Sequence, residues 1–328
     1  MKKIYLPLAL FLLTAIFPLS RNFYHLLYAE PSEFDYGYPE NNPLYFGNPS
    51  DARADSQEEW NFLMEKSQFT ESYNKSLLIP NWVAWHLAKD DLGDSDRSNK
   101  FAPDKTLPQG WYAVKKADYQ YTAYGFDRGH VCPSADRTSS KEANEETFLM
   151  TNMLPQAPDC NRIVWKDLEE YERDLVNQGM ELYIFAGGFG RGGIGNNGYF
   201  EEILLEENSA SELYSSSDSP TVVQSDLQAD PQVDALSTPQ SDLPTSRLAI
   251  AVPEFCWKII LALPEGDDDL ARVTGDCQVI AVCIPNKQGC QEGGSWELYE
   301  CSVDYIEEIT QMDFFELLPD EIEAELEK

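Results

Sequence analysis

Histidine is scarce in this chain, basic residues are outnumbered, and no apolar run is long enough to settle across a bilayer. Three histidines in 328 residues leave few positions for a side chain that exchanges a proton near neutral pH. Lys and Arg total 24 against 57 Asp and Glu, a net charge of −33. Neutralising phosphates supplies most of the non-specific affinity for nucleic acid, so this balance excludes a protein that passively coats DNA or RNA. It leaves room for an enzyme whose cleft is locally basic or filled by a metal. None of the seven cysteines forms a C-x-x-C pair, which removes the usual zinc spacing.

What is present begins with a leader. Lys2 and Lys3 precede the uncharged apolar stretch Ile4–Leu19, the length of a signal-peptide core and short of a membrane span. Residues 1–29 are therefore expected to be a signal peptide or leader, cut after Ser20 or Ala29. The product would be secreted, extracellular or periplasmic, without a stable membrane span; an uncleaved N-terminal anchor is the alternative. In an exported chain seven cysteines imply disulfides, with one thiol left over.

The acidity is uneven. Residues 201–246 carry ten acids and no Lys or Arg, and residues 313–327 carry seven more. Residues 97–173 hold eleven of the 24 bases against twelve acids, so the excess charge belongs largely to appendages. The composition places a domain over 44–318, interrupted by a polar acidic insertion at 206–246 too poor in aromatics to fold alone. An acidic tail at 319–328 follows.

Trp82–Leu87, Leu182–Ala186, Phe255–Leu263 and Val279–Ile284 are predicted strands by their apolar and β-branched content. A helix is predicted from Asn161 to Val176, with Val164, Leu168, Tyr171 and Leu175 on the core-facing stripe. Asn161, Trp165, Glu169 and Arg173 recur every four residues on the neighbouring face. That face suits a cleft floor, or else an ordinary solvated surface with a Glu169–Arg173 pair. Gly188-Phe189-Gly190-Arg191-Gly192-Gly193 matches G-x-G-x-x-G, but no helix or Lys-Ser/Thr follows it. A flexible loop is expected there, not a nucleotide fingerprint.

His25 lies just after the Ile4–Leu19 apolar stretch, and His86 sits in an apolar run where core packing is expected. His130 stands in the charged tetrad Asp127-Arg128-Gly129-His130. The surrounding motif, Tyr124-Gly125-Phe126 before the tetrad and Pro133-Ser134-Ala135-Asp136-Arg137 after it, resembles the DNA/RNA non-specific endonuclease family. Thr151-Asn152-Met153-Leu154-Pro155-Gln156 fits too, followed by Asn161, Trp165, Glu169 and Arg173 at the family spacing. Upstream, Arg97 and Phe101-Ala102-Pro103-Asp104-Lys105-Thr106-Leu107-Pro108 also match. The resemblance covers most of 44–200 and, more loosely, 247–318. It is closer to the secreted bacterial branch than to mitochondrial endonuclease G.

The resemblance implies an α+β fold, with a central antiparallel sheet, a ββα-metal catalytic motif and flanking helices. It also implies a secreted, sugar-non-specific endonuclease acting on DNA and RNA. Within it His130 would be the general base that takes a proton from water. Asn161 would ligate Mg²⁺, or Mn²⁺, directly, and Glu169 would act on the metal through water. Arg97 and Arg173 would grip phosphate oxygens, with Arg128 part structural and part substrate-facing. Asp127 would fix the motif. Cys132 and Cys160, which flank it, are expected to be small buried residues, with a bridge between them as the alternative. Two rival readings are a non-catalytic surface protein on the same fold and a phosphodiesterase for small esters.

Overall fold

The computed structural model describes residues 38–206 and 247–328. The leader with His25, and nearly all of the acidic insertion, lie outside them. The strands are, in order, β1 (Phe62–Glu65), β2 (Thr70–Asn74), β3 (Ile79–Leu87), β4 (Asp127–His130), β5 (Met153–Gln156) and β6 (Met180–Phe189). They continue with β7 (Gly193–Gly195), β8 (Gly198–Phe200), β9 (Glu202–Leu204), β10 (Ala249–Ala251), β11 (Phe255–Pro264), β12 (Gln278–Pro285) and β13 (Glu300–Cys301). Seven form one antiparallel sheet in the order β1-β2-β3-β6-β11-β12-β13.

All four predicted strands lie in the middle of this sheet, as β3, β6, β11 and β12. They are nearly continuous apolar runs because both faces of the sheet are covered. On one face, Val83, Trp85, Leu87, Leu182, Ile184, Ile260 and Val282 join a core with Phe126, Met153, Leu154, Val164, Trp165 and Leu168. On the other, Trp82, Tyr183, Phe185, Trp257, Ile259 and Leu261 pack against Leu44, Phe46, Ile306, Phe314 and Phe315. Fully burying each such side chain contributes about 1.5–3 kcal/mol, so the sheet is a stiff floor for whatever lies on it.

The predicted helix is present, with a changed start. Cys160–Val164 make a wide turn in which Trp165 N–H donates to the Cys160 carbonyl, five residues back, and the regular helix runs Trp165–Asn177. Val164, Leu168 and Leu175 are buried as expected, while Tyr171 is only half-buried; Trp165, Glu172 and Val176 join the buried set. Glu172 can face inward because Lys258 of β11 meets it at 2.7 Å, both side chains fully buried. The Lys258 ammonium also lies 4.5 Å from the Trp165 ring centroid and 5.2 Å from that of Trp85.

Several expectations change here. All seven cysteines carry free thiols, so the expected disulfides are not formed. Cys132 and Cys160 are buried and unbridged; the Cys160 thiol lies instead against Cys256 and Cys290. The glycine-rich segment is a strand end and turn leading through β7 into β8, with Gly190 and Gly192 at positive φ. The acidic tail contains the helix Asp320–Leu326, whose Leu326 is buried in the second core. Among the described residues no helix is long and apolar enough to cross a membrane.

Candidate active site

β4 and β5 pair antiparallel, with Gly129 opposite Leu154 and His130 opposite Met153, and the chain then enters the wide turn and the helix. Two strands and a helix thus meet on the first face of the sheet. The glycine in the tetrad is sterically required, since a Cβ at Gly129 would collide with Gln156 Oε1. Asn152 ties down the chain beyond His130: its Oδ1 accepts from Cys132 N–H, and its Nδ2 donates to the Cys132 and Thr147 carbonyls at 2.9 Å.

His130 is buried, and its Nε2 has no hydrogen-bond partner. Phe148 meets the imidazole edge-on at 4.6 Å, and Phe101 lies 5.6 Å away. Burial first, then the charges of Arg97 and Arg128, push its pKa down to about 3. The ring is therefore neutral across the physiological range, the form a general base needs.

Asn161 comes from the wide turn. Its Nδ2 donates to Asp127 Oδ2 at 2.9 Å, while Arg162 grips the same carboxylate through Nε at 2.7 Å and Nη2 at 2.6 Å. With its NH₂ committed to Asp127, the amide of Asn161 has only its oxygen left to offer. Oriented oxygen is what Mg²⁺ prefers, and a carboxylate aiming the ligand from behind is the usual supporting arrangement.

Arg97, Arg128, His130, Ser134, Asn161, Arg162, Lys166 and Glu169 line one cavity of about 230 Å³ together with Pro133 and Ala135. Arg97 donates to Ser134 Oγ and lies 5.0 Å from the Phe148 ring centroid. Arg128 lies 4.7 Å from that of Phe101, and its Nε is buried without a partner. Among the described residues no carboxylate pairs with either guanidinium. Burial pushes the Glu169 carboxyl up to about 8, reinforced by Asp136 and Glu172 and opposed by Lys258 and Arg173. The nearby Lys258 and Arg173 do not offset the burial, and a divalent cation would add the positive charge that favours the ionised carboxylate.

Five of the six candidate site residues therefore converge: Arg97, Arg128, His130, Asn161 and Glu169. Arg173 does not join them. It binds buried Asp136 at 2.8 Å, which also accepts from Trp85 Nε1, and it borders a separate hollow with Ala135. The Glu169–Arg173 ion pair is replaced by this contact. Sequence reasoning missed Arg162, Lys166 and Phe148, and it quoted Ser134 and Phe101 within the motifs without giving them a place at the site. Arg162 was hidden because a regular helical wheel misplaces residues of the wide turn.

Comparison with known proteins agrees with this geometry. Residues 52–321 match the family of DNA/RNA non-specific endonucleases. A nuclease of Nostoc sp. is 37% identical over 284 residues, 87% of this chain and 84% of that one. The mouse protein named Nuclease EXOG, mitochondrial, is 36% identical over 118 residues, 35% of this chain and 31% of its own. Among solved structures, the crystal structure of the EndoG/EndoGI complex superposes with a TM-score of 0.57 at 19% identity, covering 84% of this chain and 91% of that chain; this likeness bears on the fold alone. By its match over most of its length, this chain belongs to the DNA/RNA non-specific endonuclease family, a family of divalent-metal-dependent enzymes that hydrolyse nucleic acid.

Proposed function

We propose that the protein is an exported endonuclease that hydrolyses phosphodiester bonds of DNA and RNA, with His130 as general base and Mg²⁺ as its physiological metal, Mn²⁺ substituting. The observation that carries this reading is a neutral, unpartnered imidazole in a basic cavity of an otherwise acidic molecule. Asn161 Oδ1 would hold the metal directly and Glu169 through water; bound there, the metal would supply Lewis-acid charge stabilisation at the phosphoryl group.

The chain's own residues account for the rest. His130 takes the proton of an attacking water, kept ready because its ring stays neutral. Arg97 and Arg128, which meet no carboxylate among the described residues, bind the phosphoryl oxygens as charge accumulates on them. Arg173 acts from behind, holding Asp136 beneath the cavity wall. Contacts of this kind read phosphate and not base edges, so they carry no sequence preference and accept both sugars. Export is supported by the basic start and the Ile4–Leu19 apolar stretch.

The test is digestion of supercoiled plasmid and of a structured RNA by the purified protein. Cleavage of both with Mg²⁺ or Mn²⁺, abolished by EDTA, is expected. Asn161→Ala should raise the Mg²⁺ concentration for half-maximal rate at least about tenfold. Undiminished cleavage in EDTA would overturn the metal requirement, and an unchanged Mg²⁺ dependence in the variant would remove Asn161 as ligand.

A further inference from the structure

Most cations near the cleft are answered by a carboxylate. Arg162 is held by Asp127, Lys166 by Glu170 at 2.6 Å, and Lys100 by Glu145. Lys116 is an exception. It is exposed, opens the short helical turn Lys116–Tyr119, and has no ion-pair partner among the described residues. Its ammonium lies 5.6 Å from the centroid of the Phe101 ring, the same ring that carries the Arg128 guanidinium at 4.7 Å. That ring in turn lies 5.6 Å from the imidazole of His130.

We propose that Lys116, which shares the Phe101 ring with Arg128, binds the backbone phosphate next to the one being cut. The inference rests on the nuclease reading and adds the substrate's minimum form, a strand with at least two phosphates. Two like charges gathered on one ring repel each other. Arg128 faces the cavity, while Lys116 does not line it. A strand bound in the cavity continues beyond it, and Lys116, on the same ring as Arg128 but outside the cavity lining, is placed for the phosphate that follows. In a chain with 57 acids, an exposed lysine left unpaired at this point is available to a polyanion. The bland alternative is a lysine that merely faces solvent, and salt dependence separates the two.

The experiment measures binding of a fluorescent single-stranded oligonucleotide by anisotropy in EDTA, which makes it independent of catalysis, across a range of salt concentrations. Lys116→Ala should weaken binding several-fold at low salt. It should also make the slope of log affinity against log salt shallower by about 0.7, the value for one phosphate contact on a single strand. Lys116→Arg should restore the slope. Lys141→Ala, which removes a lysine paired with Glu145, should leave it unchanged. An unaltered slope in Lys116→Ala, or an equal change in Lys141→Ala, overturns the site. Failure of the wild-type protein to cleave plasmid would instead overturn the nuclease reading, while the slopes still decide the role of Lys116.

Discussion

The two faces of the sheet each bury a histidine, and the surroundings of the two differ. His86 meets Glu181 at 3.2 Å; Glu181 accepts from Arg272 at 2.5 Å, Arg272 also reaches Asp269, and Asp269 accepts from Tyr183 at 2.5 Å. That network answers each charge with an opposite one. His130, on the other face, has around it two phenyl rings and two arginines that meet no carboxylate among the described residues, which also leave its Nε2 unpartnered. Both rings are almost equally buried, at 9% and 7% exposed, so burial does not distinguish them. The partner does. A closed polar network stabilises a fold, whereas a polar group held without a partner is costly to the fold and available to a ligand.

The largest effect should come from exchanging roles across that contrast. His130→Ala is expected to lower kcat on plasmid about 10²–10⁴-fold, with the melting temperature little changed. His86→Gln should do the reverse, lowering stability by about 1–3 kcal/mol while kcat holds. Comparable activity loss in both variants would erase the distinction.

A second test stays within the partnered class. Lys258→Met leaves the Glu172 carboxylate buried alone and should cost about 3–5 kcal/mol in denaturant unfolding. Adding Glu172→Leu should recover most of that loss; a double variant no better than the single one would show that packing, not charge, dominates there.

The smallest effect concerns Glu169. With a carboxyl pushed up to about 8, it holds a proton at pH 7 in the metal-free protein, and metal binding must release it. Metal affinity should therefore fall as pH drops below about 8. Calorimetry in buffers of different ionisation heat should detect up to one proton released per metal at pH 7, and Glu169→Gln should abolish the release. Identical apparent enthalpies in all buffers for the wild type would refute this.

What was legible in the sequence follows from how local each signal is. The central strands β3, β6, β11 and β12 were readable because double-sided burial makes them continuous apolar runs. The site was readable because its residues are packed into residues 97–173 and match a family motif. The inward turn of Glu172 was not, because its cause is Lys258, 86 residues away. The attachment of Arg173 to Asp136 was missed for a similar reason, since the competing Glu169 lies four residues from it and Asp136 lies 37 away. The helix start was misplaced because apolar spacing does not announce a turn that closes five residues back.

That wide turn separates ancestry from activity. Deleting the exposed Ile163 from Cys160–Val164 would let the segment close as an ordinary helix. The residue carrying the amide would be displaced by about 100° around the axis, away from the Asp127 carboxylate that aims it. Such a descendant would keep every strand and the Asp-Arg-Gly-His tetrad, and on the proposed role of Asn161 it would lose its metal-dependent cleavage without losing its fold.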